Sequence, residues 1–294
     1  MTNASDESKD ERAEDPVVTW ERRADAYTAL VRRHALFTEL ADGVVARVVA
    51  PELARVRAAG ARSVLDVGAG GGLCSERFVR AGGDARGLLA AEPAPAMRRH
   101  LVATLARIGA PTGAALETRA EDLGERFGAP PLLVPVDAAM ANAVWHLLDA
   151  PRTFAALARA VVPEGRLVFS LWWHALADDA PRHSPEAHWR PALARALYEH
   201  DEPPALARPK RELPRPERSL AELVALAHTH SFDFVAAERH ERDVDGDFFV
   251  DVAAQDHTFL AEVPEPRRAA VLARARELAP RCTVGWRVCE FTRR

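Results

Sequence analysis

Apolar positions along this chain switch between two periods. From Trp20 to Val49 they fall at helical spacing, through Tyr27, Leu30, Val31, His34, Leu36, Phe37, Leu40, Val44 and Val45. That spacing predicts two helices, joined near Asp42 and Gly43. Pro51 suits the first position of a further short helix reaching Ala59. Short apolar runs then alternate with amphipathic segments. Strands are expected at Ser63–Val67, Ala85–Ala91, Ala114–Thr118, Val136–Ala141 and Arg166–Trp172. Helices are expected at Leu73–Ala81, Pro95–Ile108 and Pro151–Val161. Such alternation predicts an α/β fold with a parallel sheet and helices on both faces.

The pattern breaks between His174 and Arg218, where prolines crowd in and one helix, about Pro191 to Tyr198, interrupts them. This stretch reads as an insertion after the fifth strand. Regular signals resume with a helix at Ser219–His230, a strand at Phe234–Asp243, helical stretches near Phe248–Leu260 and Pro266–Leu278, and a last strand at Val284–Thr292. Met1 to Asp15 is polar and acidic, so a disordered tail is expected there, without the apolar core of a signal peptide.

At 294 residues the chain can bury a large core, as one large domain or one domain with an appendage. Its net charge of −4 argues against nucleic acid as a partner, although Arg208 to Arg218 is locally basic. No apolar run reaches membrane-spanning length. Cys74, Cys282 and Cys289 form no CxxC metal pattern and suit a reducing cytosol, so a cytoplasmic location without membrane partners is expected. The oligomeric state is open, a homodimer included.

The candidate chemistry begins at Val64-Leu65-Asp66-Val67-Gly68-Ala69-Gly70-Gly71-Gly72, an apolar strand ending in an acid and a glycine-rich turn before a helix. Glycines let the backbone turn sharply and let a ligand approach, and the helix N-terminus offers free N–H groups. The dinucleotide fingerprint Gly-x-Gly-x-x-Gly does not fit, because its third glycine would fall on Leu73 or Ser75. No Lys follows, which excludes a P-loop. The spacing present is Asp-x-Gly-x-Gly-x-Gly at Asp66, Gly68, Gly70 and Gly72. In this the chain resembles the class I S-adenosylmethionine-dependent methyltransferases of small-molecule type.

That resemblance implies a Rossmann-like, doubly wound seven-stranded sheet of order 3-2-1-4-5-7-6 with the last strand antiparallel. It also implies N-terminal lid helices over 16–60 and a methyltransferase domain over 61–294, with the 174–218 insertion forming part of the acceptor pocket. The cofactor would be S-adenosylmethionine, the product S-adenosylhomocysteine, and no metal is expected. Asp66, Gly68, Ala69 and Gly70 would cradle it. Glu92, ending the second strand, would take both ribose hydroxyls, with Pro93 and Met97 in the segment that follows. Ala120, with Glu121 or Asp122, would read the adenine, and Asn142 and Ala143 would border the methyl. Tyr27, on the N-terminal helical segment with Trp20 and Arg23, would close over the methionine end.

Methyl transfer mainly needs alignment of nucleophile, methyl and sulfur, and a hydroxyl acceptor also needs a base. His146 and His174 follow strand ends on the ligand side and are the candidate catalytic residues, His146 preferred. Asn142-Ala143-Val144-Trp145 replaces the Asn/Asp-Pro-Pro-Tyr of enzymes acting on planar amino groups, and no Pro precedes any cysteine as in cytosine-C5 enzymes. A small-molecule acceptor remains, with O-methylation in secondary metabolism the leading expectation. Trp145, His146, Trp172, Trp173 and Trp189 are the candidate substrate contacts, since aromatic walls with few polar groups suit such sites. A biosynthetic step other than methylation, or methylation of RNA or protein, are the alternatives.

Overall fold

The computed structural model describes residues 16–49, 63–128, 133–172, 175–178, 185–204, 218–254 and 263–294. Within them a seven-stranded sheet forms from β1 (Val64–Val67), β2 (Leu88–Ala91), β3 (Ala115–Leu116), β4 (Val136–Ala141), β5 (Val161–Trp172), β6 (Phe232–Val244) and β7 (Cys282–Arg293). The spatial order is β3-β2-β1-β4-β5-β7-β6, as the glycine-loop resemblance implied. β1 to β5 pair in parallel, and β7 runs antiparallel between β5 and β6.

Period-two alternation sorts the strand residues onto two faces. Val64, Leu88, Ala90, Met140 and Val168 face a layer containing α2 (Ala35–Val48), α3 (Leu73–Arg80) and α4 (Pro95–Arg107). Leu65, Val67, Ala139, Leu167 and Phe169 face α5 (Ala150–Ala160) and α7 (Leu220–Thr229). Burial on both faces is what makes these strands continuously apolar. Asp66 shares the α3 side of β1 with Val64, which decides its partner below.

Several boundaries differ from the sequence reading. The N-terminal helices break at His34, between α1 (Pro16–Arg33) and α2, and not at Gly43. Gly43 lies inside α2, where an added Cβ would stand 3.2 Å from Val288, so that glycine serves close packing on β7. β5 starts at Val161, five residues before Arg166, because the chain bulges through Glu164 (φ 63°) and then resumes pairing with β4. The helix in the proline-rich stretch is longer than expected, α6 (Pro185–Glu199), with Pro191 inside it. Its Leu193, Ala196 and Leu197 join the main core beside α8 (Gly246–Ala254) and α9 (Glu265–Leu278). The expected tail at 1–15 and short helix at 51–59 lie outside the described residues, as does the basic run except Arg218.

Candidate functional site

β1 delivers the glycine turn to the carboxyl edge of the sheet, where ligands of open α/β sheets bind. Gly68, Gly70 and Gly72 have φ of 62°, 55° and 86°. A Cβ on Gly68 would lie 2.6 Å from Val144 Cγ2, and one on Gly72 would lie 2.9 Å from Thr104 Cγ2, so both strain and space require glycine. The turn is fastened by Ala69 N–H donating to Ala91 O at 2.9 Å and by the Thr104 hydroxyl donating to Gly71 O at 2.8 Å.

Two carboxylates stand under this turn. Asp66 is 1% exposed; its Oδ2 accepts the Ser75 hydroxyl at 2.6 Å, while its Oδ1 has no partner. Burial, with a smaller contribution from the Glu92 charge, pushes Asp66 up to about 7. Glu92 accepts Ala94 N–H on Oε1 at 2.8 Å and Gly70 N–H on Oε2 at 2.9 Å, which fixes its plane across the turn. Burial also raises Glu92, against the pull of those two N–H groups and Arg98. An unpartnered buried carboxylate oxygen beside a second carboxylate is costly, and a cationic ligand relieves it. The Cys74 thiol, also on the wall, is pushed well up by burial and stays protonated.

The turn opens on a cavity of about 180 Å³. Its floor is the segment from Asp66 to Gly71, with Glu92, Pro93, Ala94 and Met97 on one side. Arg119, Ala120 and Glu121 lie on another wall, and Asn142, Ala143, Val144, Leu147 and Leu148 close it. The roof is α1, through Val17, Trp20, Tyr27, Thr28, Val31 and Arg32, with Phe37 from α2. α1 is latched to α4 by Glu21 accepting Ala96 N–H at 2.6 Å and by Asp25 against His100 at 2.7 Å. Ala24 packs on Ala94, Ala96 and Met97 along the same seam. Tyr27 sits edge-on to Trp20 (4.8 Å) and to Phe37 (5.9 Å), and burial plus the Glu92 charge pushes its phenol up to about 12.

Of the residues singled out in the sequence, Tyr27, Asp66, Gly68, Ala69, Gly70, Glu92, Pro93, Met97, Ala120, Glu121, Asn142 and Ala143 all line this cavity. Others do not. Asp122 pairs with Arg152 at 3.0 Å instead, leaving Glu121 as the wall carboxylate. Trp145 is 3% exposed and stacks on Phe169 at 3.9 Å, inside the core on the α5 side. His146 is exposed and is not among the cavity walls. Trp172 stands behind Phe37, ring centroids 6.0 Å apart. Trp173, His174 and the side chain of Trp189 lie outside the described residues.

Sequence reasoning missed Thr28, Val31, Arg32, Phe37, Ser75 and Ser170. Ser170 is buried on β5, accepts Ala143 N–H at 2.8 Å and donates to Asn142 Oδ1 at 2.8 Å. With Oδ1 engaged, the Asn142 amide turns its N–H₂ away from Ser170. Ala143 is held there at φ 56°, a conformation costly for a residue with a Cβ. A polar residue within Leu167-Val168-Phe169-Ser170-Leu171 was the available signal.

This fold is that of the class I S-adenosylmethionine-dependent methyltransferases. No protein-family model matches the chain. Uncharacterized methyltransferases of Mycobacterium bovis and Mycobacterium tuberculosis are 36% identical to it over 109 residues, 37% of this chain and 39% of theirs. The match thus spans about two fifths of the length of those curated relatives. Among solved structures, the (4+2)-cyclase SpnF is 13% identical, with a TM-score of 0.53 over 94% of each chain. A methyltransferase from Thiobacillus denitrificans, solved with S-adenosylhomocysteine, is 18% identical with a TM-score of 0.39 over 84% of this chain and 92% of its own.

Proposed function

We propose that the chain binds S-adenosylmethionine in this cavity and transfers its methyl group to a small-molecule acceptor, an oxygen nucleophile of secondary metabolism. The observation that carries the reading is Asp66, a buried carboxylate with one unpartnered oxygen beneath a glycine turn. S-adenosylmethionine, when bound, supplies a methyl group on a positively charged sulfur, already activated toward a nucleophile. The protein's own part is to bind, orient and exclude water. Asp66 answers a cationic group, and Glu92, braced by two N–H groups, keeps lone pairs for a diol. Glu121 is braced in turn by Asp149 N–H at 2.9 Å and stands where a flat ring system would lie.

Tyr27, Val31, Phe37, Val144 and Leu147 give the cavity an apolar side, which suits a flat or apolar acceptor. Among the described residues no histidine lines the cavity. An acidic hydroxyl such as a phenol therefore fits best, because it needs the least help in losing its proton. Cys74, Cys282 and Cys289 are buried and form no disulfide, which suits a reducing compartment, and a cytoplasmic location with it.

The test is incubation with S-adenosylmethionine and a panel of phenols, with mass spectrometry of the products. Methylated acceptor with S-adenosylhomocysteine formed in equal amount supports the reading. If S-adenosylhomocysteine does not bind in calorimetry, the cofactor assignment fails. The fold likeness to a cyclase favours a second reading, a cofactor-bound protein catalysing a non-methylating step. Acceptor consumed with no S-adenosylhomocysteine formed would select it.

A further inference from the structure

The sheet ends differently at its two edges. β3, at one edge, has 2 residues, whereas β6, at the other, has 13 and is the longest strand of the sheet. Edge strands are ordinarily short, because their outward N–H and C=O groups can pair with another chain. Among the described residues β6 pairs with β7 alone, and every residue between its buried ends, Phe232 and Val244, is at least partly exposed. A bulge between Phe234 and Ala236 interrupts the strand near its start. From Ala236 to Val244 the pairing with β7 runs without a shift, which leaves a regular outer edge centred on His240.

The charges on that stretch read Glu238-Arg239-His240-Glu241-Arg242. Two copies laid antiparallel about a two-fold axis at His240 set Glu238 opposite Arg242 and Arg239 opposite Glu241, each pair occurring twice. Directly opposed residues share a face of the sheet. Glu238 and Arg242 lie on the face toward α2, where they meet Arg47 and Glu39. Arg239 and Glu241 lie on the other face, 2.6 Å apart and exposed. Neighbouring registers fail. A slip of one residue sets Glu238 opposite Glu241 in one direction and Arg239 opposite Arg242 in the other. An axis at Arg239 or at Glu241 sets that residue opposite its own copy. The centre of the bulge-free edge and the centre of the charge pattern therefore coincide at His240.

We infer that the outer edge of β6 is a dimer interface, on which a second copy of this chain adds its own β6 antiparallel over Ala236–Val244 and joins two sheets into one. The occupant is a second copy because the charge pattern that complements this edge is its own, read in reverse. The pairing of Glu238 with Arg242 of the partner subunit extends an ion-pair row already begun by Arg47 and Glu39. Single exposed ion pairs are weak, so the dimer is reversible and forms in the micromolar range. The residues that pair lie outside the cavity, so the inference stands apart from the ligand reading.

The test is sedimentation velocity across micromolar concentrations of the wild type, Arg239→Glu, Glu241→Arg and the double variant. Both side chains are exposed, so the fold is expected to persist in every variant, which circular dichroism checks. The wild type should dimerise reversibly. Each single variant should dimerise at least about tenfold more weakly, because one sets Glu opposite Glu and the other Arg opposite Arg. An equimolar mixture of the two single variants should dimerise again, since every Glu of one then faces an Arg of the other. The double variant should do so too. Mixing cannot repair an ion pair within one chain, so that arm isolates the contact between copies. A wild type that stays monomeric, a dimer indifferent to either substitution, or single variants that fail to pair on mixing would overturn the inference.

Discussion

Asp66 is 1% exposed, keeps one oxygen without a partner and is pushed up to about 7. In an unfolded chain the same group titrates near 4. Between these values the unfolded state sheds a proton that the folded state retains. Asp66 therefore costs the ligand-free protein nothing below about pH 4, and an increasing amount as pH rises toward 7. Asp66→Asn should stabilise the ligand-free protein at pH 8 by on the order of 2–4 kcal/mol and leave it unchanged near pH 4. Denaturation curves at the two pH values check this; equal effects at both would contradict it. A cationic ligand needs the ionised form, so wild-type affinity for S-adenosylmethionine should rise about tenfold per unit up to roughly pH 7 and then level off. Ser170 acts on the other side of the cavity. Ser170→Ala leaves the part-buried Ala143 N–H without its partner and frees the Asn142 amide, a loss of about 1 kcal/mol measurable in urea.

The helices and strands were legible in kind, because amphipathic and apolar runs are local properties of the sequence. Their ends were not, because distant partners set them. The break at His34 has no local signal: its Nε2 meets Asp251 Oδ2 at 2.8 Å, a residue 217 positions away. Gly43 looked like a break and is a packing contact with β7 instead. The same break leaves α1 as a helix of its own over the cavity, held to α4 by Glu21 and Asp25. α1 covers the cavity of about 180 Å³ beneath it, so its latches to α4 bear on how fast a ligand leaves. Removing both latches in Glu21→Ala/Asp25→Ala should shorten ligand residence tenfold or more. Global stability should change by less than about 1 kcal/mol, since these are surface contacts. Stopped-flow fluorescence from Trp20 measures the first and denaturation the second; an unchanged dissociation rate would rule out α1 as the gate.

At the scale of the molecule, Asp251 joins three parts of the chain. Its buried carboxylate meets Arg33 at 3.0 Å and His34 at the α1–α2 break, and Arg276 of α9 at 2.8 Å. α6 is tied to α9 by Glu199 and Arg274 at 2.5 Å, so the α1–α2 break and the α6, α8 and α9 helices are linked by ion pairs. Asp251→Ala leaves Arg276 without its carboxylate and Arg33 with Asp247 alone, and should cost on the order of 1–3 kcal/mol, with faster hydrogen exchange in α8, α9 and the α1–α2 break than in the sheet. Uniform exchange rates would mean that Asp251 is not a hub.

Sequence reading saw α6 as an insertion because prolines dominate it, and missed that Leu193 and Leu197 face inward. The floor and side walls of the cavity were readable because their residues sit on contiguous motifs at strand ends. The roof was not, because Thr28, Arg32 and Phe37 reach the cavity only through the packing of α1 and α2. Trp145 misled for a related reason: after Ala143 at φ 56°, it points into the core against Phe169.

The most direct measurement of the central claim is a calorimetric titration of S-adenosylhomocysteine into the wild type and Glu92→Gln at pH 8. A glutamine cannot accept both Gly70 N–H and Ala94 N–H, so it loses the brace and the diol contact together. One site per chain is expected, with affinity in the micromolar range or tighter and at least about tenfold weaker in the variant. Absence of binding to the wild type at about millimolar ligand, or equal affinity in the two proteins, would contradict it.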